Sequence, residues 1–342
     1  MRPAADAAGC YGVAPPGRGT SRRATSPTEQ GSVGTADTLL VGGLPIGRLG
    51  FGAMRLTGPG TWGPPRDQHA AKDVLRRALE LGVNLIDTAD AYGPGLNERQ
   101  IAEALRPYPD GLVIATKGGR TRQGPYQWGT DGRPASLRQA CEASLKRLRL
   151  ESIDLYQLHG PDPRVPLEES VGSLAELQAE GKVRHIGVCN VSVEQLASAR
   201  AVATVVSVQN RYNLADRTSE TVLRICERDQ LAFLSWMPLA RGTLAGRGSG
   251  LRRIPAAHAA TPGQVALAWL LQRSPVTVPI PGTSSLSHLE ENLGALDVRL
   301  SEDELDALER YRPARVHALG TSLRHRTRPV LVPILASILR RR

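Results

Sequence analysis

The feature that most constrains this chain is a short apolar run that recurs along it and ends, again and again, on a polar or aromatic side chain. NLI runs into Asp87, LVIAT into Lys117, IDLYQL into His159, HIGVC into Asn190, VVSV into Gln209 and LAFLS into Trp236. Strand-like runs fall near 49–54, 84–87, 113–117, 154–158, 185–189, 205–209, 232–236 and 276–280, which makes eight. Runs this short and this apolar read as strands buried on both faces of a parallel sheet. Helical patterns separate them. Ser136 with Gln139, Ser192 with Gln195, Thr261 with Gln264 and Ser301 with Glu304 have capping-box spacing, and Pro262 stands where a first helical turn tolerates a missing N–H. The 67–81 stretch sets Ala70, Val74, Leu75, Ala78 and Leu79 on one helical face and stops at Gly82.

Alternating strand and helix fits either an open doubly wound sheet or a closed barrel. No early GxGxxG follows a strand with an acidic residue about 20 positions on, as the dinucleotide-binding open sheet requires. Eight units therefore predict an α/β fold, a (β/α)8 TIM barrel. In such a barrel the strand interiors are filled, so chemistry is confined to the carboxyl ends of the strands and the loops after them. Those are the positions of the six residues above. TLLVGGLPIGRLGFG adds an N-terminal β-hairpin around Gly42-Gly43 before the first barrel strand.

The net charge of +10 on 342 residues suggests a polyanion ligand until it is mapped. Residues 37–311 carry 31 basic and 31 acidic side chains, against 4 and 2 in 1–36 and 8 and 0 in 312–342. The body is thus neutral and no nucleic-acid partner is expected. The chain divides into a disordered arm at 1–36, rich in Gly, Ala, Pro, Ser and Thr, a barrel domain at 37–311, and a basic, poorly ordered tail at 312–342. Cys10, Cys141, Cys189 and Cys226 show neither CxxC pairing nor metal-ligand spacing, so no metal is expected and reduced thiols in the cytoplasm are. The start has no secretory-signal pattern, and the apolar stretch VLVPILASIL at 330–339, broken by Pro333, is half the roughly 20 residues a bilayer span needs.

The chemistry centres on IDTADAYG, which holds Asp87 and Tyr92. A phenol, with an unperturbed pKa of about 10, donates a proton at neutral pH more readily beside a cation. Lys117 is the candidate cation, Asp87 the carboxylate that holds it, and His159 a group that orients a carbonyl or shares the proton. Singly, each has an ordinary structural reading: a helix cap, a loop packing residue, a surface charge, a core imidazole. Their recurrence at successive strand ends favours a site.

With these residues in view, the chain resembles the aldo-keto reductases. IDTADAYG, VIATKGG, DLYQLHGPD, HIGVCNVS, VVSVQNRYNL and PIPGTSS…HLEEN follow that family's order over roughly 38–311. The resemblance implies a catalytic tetrad of Asp87, Tyr92, Lys117 and His159 and a nicotinamide cofactor bound without a Rossmann fold. It implies that Asp87, Cys189, Asn190 and Gln209 meet the nicotinamide end, with Trp236 stacked on the ring and Pro238 and Leu239 on the loop behind it. At the phosphate end it implies Gly282, Thr283, Ser284, His288, Glu291 and Asn292. His288 stands where many NADP-preferring members carry Arg; NADP(H) is still expected in preference to NAD(H). Cys189 stands where Ser is usual, and the loop 240–260 after Trp236 is short.

The resemblance further implies hydride transfer between aldehydes or ketones and alcohols; the sequence leaves monomer and dimer both open. RLGFGAMRLTGPGTWGPPRD is similar to the first βα loop of the family's bacterial pyridoxal reductase branch, which points to pyridoxal as substrate. Trp62 and Trp128 are expected in loops overhanging Tyr92 and His159, as substrate contacts or as plain loop anchors. The alternatives are a redox-sensing subunit that binds nicotinamide with little turnover, against which an intact proton-donor set argues, and a general aldehyde or ketone reductase of another substrate class.

Overall fold

The structure, a computed structural model, describes residues 38–246, 251 and 253–311. The arm at 1–36, the tail at 312–342, Cys10 and part of the loop after Trp236 lie outside the described residues.

In chain order the strands are β1 (Thr38–Val41), β2 (Leu44–Gly47), β3 (Phe51–Gly52), β4 (Leu85–Asp87), β5 (Val113–Gly118), β6 (Arg120–Gly124), β7 (Gln127–Thr130), β8 (Ile153–Leu158), β9 (Val183–Cys189), β10 (Val205–Arg211), β11 (Ala232–Trp236) and β12 (Thr277–Pro279). The helices are α1 (Gln68–Glu80), α2 (Leu96–Leu105), α3 (Pro134–Leu148), α4 (Leu167–Ala179), α5 (Val193–Val202), α6 (Glu220–Arg228), α7 (Arg253–Ala257), α8 (Pro262–Arg273), α9 (Leu286–Leu293) and α10 (Glu302–Glu309). Strands β3, β4, β5, β8, β9, β10, β11 and β12 lie side by side in that order, each parallel to the next. These are the eight runs picked out by their apolar pattern.

The sheet closes on itself. Gly50 N donates to Pro279 O at 3.0 Å and Gly52 N to Pro281 O at 3.2 Å, which joins the first barrel strand to the last. The seam requires glycine: a Cβ on Gly52 would stand 2.7 Å from Ile280 O, and one on Gly282 2.4 Å from Gly52 O. Leu85, Val113, Ala115, Leu155, Ala232, Leu234, Val278 and Ile280 fill the barrel. Val41 and Ile46 join them from the β1–β2 hairpin, which turns through Gly42 and Gly43 at φ of 60° and 93°. Among the described residues the hairpin thus packs against the barrel interior at the amino end of β4, where Gly47 N donates to Asn84 Oδ1 at 2.8 Å, and leaves the carboxyl ends of the strands to the polar residues.

Helix starts follow the expected caps at α5, α8 and α10, where Ser192, Thr261 and Ser301 form reciprocal capping boxes. Ser136 does not cap. Helix α3 begins earlier, at Pro134, and the Ser136 hydroxyl donates to Asp131 at 2.8 Å, so proline's preset φ decides that boundary. Helix α1 is capped by Asp67, which accepts from the N–H groups of His69 and Ala70; Ala71, Val74, Leu75 and Ala78 are its buried face, while Ala70 and Leu79 are half-buried. The β6–β7 hairpin was not expected. Trp128 lies within β7, opposite Arg122 of β6, rather than in an irregular loop. No helix among the described residues is long and apolar enough to cross a membrane.

Candidate active site

The carboxyl end of the barrel gathers residues from six strands around one buried charge pair. Asp87 ends β4 with its side chain 3% exposed, and Lys117, on β5, is fully buried. A charge in such a place must be paired and fully hydrogen-bonded. Lys117 Nζ donates to Asp87 Oδ1 at 2.6 Å and to Thr88 O at 2.8 Å, while Asp87 Oδ2 accepts from Gln209 Nε2 at 2.7 Å and Gln157 Nε2 at 3.2 Å. Burial alone would push the ammonium toward neutrality; the Asp87 carboxylate reverses that and holds it above the usual lysine range.

Tyr92 lies on the loop after β4, buried, with Lys117 Nζ 5.4 Å from its ring centroid. The cation pulls its pKa down, as the sequence suggests, but burial acts more strongly and the phenol is pushed up to about 12. It therefore keeps its proton at neutral pH, the state a donor needs. His159 follows β8, its ring 5.8 Å from that of Tyr92 at an interplanar angle of 79°. Burial, then the charges of Lys117 and Arg120, hold its pKa well below the usual value, so the imidazole is neutral. Its Nδ1 is buried with no partner among the described residues. A protonated phenol and a neutral imidazole, side by side, can share hydrogen bonds with one carbonyl oxygen.

Six more expected residues adjoin this pair, on or after β9, β10 and β11. Asn190 sits after β9 in the left-handed region at φ 57°, a conformation asparagine tolerates better than most residues. Its Nδ2 donates to His159 O at 3.2 Å, and its Oδ1 accepts from Trp236 Nε1 at 3.0 Å, which fixes the indole at the end of β11. Gln209 is set deeper and spends its amide donor on Asp87. Cys189 is buried below Asn190, its thiol raised to about 12 by burial and donating to Gln157 Oε1 at 3.7 Å. Pro238 is buried and Leu239 half-buried on the following loop.

The chain after β12 carries the last group. Gly282 belongs to the barrel seam, and Thr283 Oγ1 accepts from Ser285 N at 3.0 Å. Ser285 caps α9 by accepting from His288 N; Ser284 and His288 are exposed, Glu291 is half-buried and Asn292 buried.

The opposite edge carries the aromatic wall. Trp128 lies edge-on to Tyr92, centroids 6.4 Å apart, and to His159 at 6.2 Å, so the β6–β7 hairpin overhangs the donor pair. Trp62 is tied to it through a residue the sequence reading missed. The Arg122 guanidinium stacks 3.8 Å from the centroid of Trp128 and lies 5.8 Å from that of Trp62. It donates to Gly60 O at 2.5 Å, Thr61 O at 2.9 Å, Ala91 O at 3.3 Å and Gly124 O at 3.2 Å. One cation thus joins the first βα loop, the tyrosine loop and the hairpin. Gln157 was also missed, although a glutamine inside the run IDLYQL is a visible signal, since a buried amide in a barrel strand needs polar partners.

Among the described residues no group of three or more His, Cys, Asp or Glu side chains is placed to hold a metal. The fold and its mouth define a barrel oxidoreductase. The chain belongs to the aldo/keto reductase family, whose model matches residues 48–312. It is 45% identical to pyridoxine 4-dehydrogenase of Escherichia coli (strain K12) over 282 residues, 80% of this chain and 98% of that protein. It is 46% identical over 274 residues to an uncharacterized oxidoreductase of Schizosaccharomyces pombe, 80% of this chain and 89% of that one. Among solved structures, an aldo-keto reductase from Klebsiella pneumoniae in complex with NADPH aligns with a TM-score of 0.70 at 29% identity, covering 82% of this chain and 96% of that chain.

Proposed function

We propose that the protein is an NADP(H)-dependent carbonyl reductase that reduces pyridoxal to pyridoxine. The observation that carries the reading is the cluster of a protonated Tyr92, a buried Lys117–Asp87 pair and a neutral His159 beneath an indole wall. The donor set suits a nicotinamide cofactor. Asn190 and Gln209 are amides matched to a carboxamide edge, the half-buried Trp236 offers a flat face beside them, and Ser284, the Ser285 cap and the first amides of α9 suit phosphate. His288, exposed in the first turn of α9, and Glu291 and Asn292 beyond it are assigned to the adenosine end. Cys189 supports Gln157 from below and is assigned no direct contact.

Reduced nicotinamide, when bound, supplies the hydride. Tyr92 donates the proton to the carbonyl oxygen, His159 orients that oxygen, and Lys117 stabilises the phenolate left behind, its own charge held by Asp87. Trp128 and Trp62 exclude water and favour a planar ring over a polyol, whose hydroxyls would lack partners there. The 45% identity to a pyridoxine 4-dehydrogenase supports this substrate.

The test is loss of reduced-nicotinamide absorbance with pyridoxal, aldoses and small ketones, each with NADPH and NADH. An aldose or ketone ahead of pyridoxal by tenfold in kcat/KM, about 1.4 kcal/mol of transition-state preference, would remove pyridoxal and leave the carbonyl reductase. Tyr92→Phe should bind cofactor normally, by fluorescence titration, and lose about two to four orders of magnitude in turnover.

A further inference from the structure

Two arginines stand two residues apart on β6, and the pleat turns both toward the site while Thr121 and Gln123 face solvent. Arg122 spends its donors on backbone carbonyls and its faces on two indoles. Arg120 spends none. It has no hydrogen-bond or ion-pair partner among the described residues, and the carboxylates after β7 and β8 are already taken, Asp131 by Arg133 at 2.6 Å and Asp162 by Arg164 at 2.9 Å. Its guanidinium lies against Gly160, directly after His159: a Cβ on Gly160 would stand 3.0 Å from Nη2 and 3.5 Å from Nε and Cζ. Its charge acts on buried His159 and, one strand over, on Cys189. Across the hairpin it pairs with Thr130, two residues from Trp128, whose ring is itself 6.2 Å from His159.

We propose that Arg120 forms an anion subsite at the substrate end of the mouth, so that the enzyme prefers aldehydes carrying a carboxylate or a phosphate on the ring or arm remote from the carbonyl. The half-buried Arg120 guanidinium has no nitrogen among the buried unpartnered atoms, so its donors are open to an incoming group, and its planar fork matches both anions. Gly160 keeps the approach clear beside the imidazole that receives the carbonyl oxygen. The subsite rests on the carbonyl-reductase reading above and goes beyond its pyridoxal assignment, since pyridoxal carries neither anion and would rank behind an aldehyde that does.

The test compares matched pairs with NADPH: 4-carboxybenzaldehyde against 4-carbamoylbenzaldehyde, and pyridoxal 5′-phosphate against pyridoxal. The charged member should win by about tenfold or more in kcat/KM, and Arg120→Met should raise its KM by about 10- to 100-fold, the scale of a lost charge-assisted hydrogen bond, while the uncharged member shifts far less. Arg120→Lys should recover part of the preference and none of its bidentate selectivity. A preference in only one pair tells carboxylate from phosphate. Equal losses for charged and uncharged members, or a loss expressed in NADPH affinity, would overturn the subsite. If no aldehyde is turned over, the carbonyl-reductase reading is what fails; calorimetric binding of 4-carboxybenzaldehyde to wild type and Arg120→Met then decides the subsite, and equal affinities reject it.

Discussion

Replacing Lys117 with methionine separates the charge pair's part in stability from its part in chemistry. Methionine is close in length and volume, so little cavity opens. What remains is Asp87, 3% exposed, stripped of the ammonium 2.6 Å from Oδ1 and left with two amide donors on Oδ2. Removing one member of a buried ion pair costs about 3–5 kcal/mol, because the surviving charge is uncompensated. In a domain this size each kcal/mol moves Tm by about 2–4 °C, so the melting temperature should fall by roughly 6–20 °C. Lys117→Met with Asp87→Asn removes the stranded charge while keeping the shape, and should regain most of that loss in thermal and urea unfolding. Turnover should not return with it. Without the cation, burial alone acts on Tyr92, the developing phenolate is unsupported, and kcat should stay about two to four orders of magnitude down in both variants. A single substitution costing under about 1 kcal/mol, or a double variant no more stable than the single, would refute the claim that an obligate charge pair lies at the centre of the site.

Arg122→Leu frees the first βα loop from the hairpin and should raise KM for an aromatic aldehyde by about tenfold, the scale of one lost charged hydrogen bond, with cofactor affinity intact by fluorescence titration. Asp90, next to the site, has a buried Oδ1 without a partner, and burial, then the Glu98 charge, raises its pKa to about 8. A carboxyl raised in the folded state contributes stability that is present below its unfolded pKa near 4 and lost as pH climbs through about 8. Asp90→Asn should therefore raise Tm more at pH 8 than at pH 5, and a pH-independent gain would contradict the assignment. A chain trimmed to residues 37–311 should keep cofactor affinity and turnover in the same aldehyde assay, because the site pattern and the neutral charge balance both lie within it. A rise in KM alone would place substrate contacts in the tail.

The eight barrel strands, three of the four capping-box helix starts and the residues at the strand ends were legible in the sequence because each rests on local regularities. Apolar runs, capping boxes and turn glycines act over a few residues, and Gly42-Gly43 or Thr261 with Gln264 says the same thing in the chain as in the fold. What only tertiary structure decided are the pairings across the barrel. Gln209 reaches Asp87 from 122 positions away, and Gln157 reaches it from 70. No local pattern encodes those meetings; closure of the sheet does, through the glycines at 52 and 282. The same holds for protonation. A tyrosine beside a lysine reads as a lowered pKa, yet burial, a property of the whole packed mouth, sets Tyr92 at about 12. Likewise β6 shows two arginines of one type in sequence, and only the fold gives Arg122 two indoles and five backbone carbonyls while leaving Arg120 without a partner among the described residues. Strands and caps are local energetics, whereas the charges, donors and walls of a site depend on which distant segments fold closure brings within hydrogen-bonding reach.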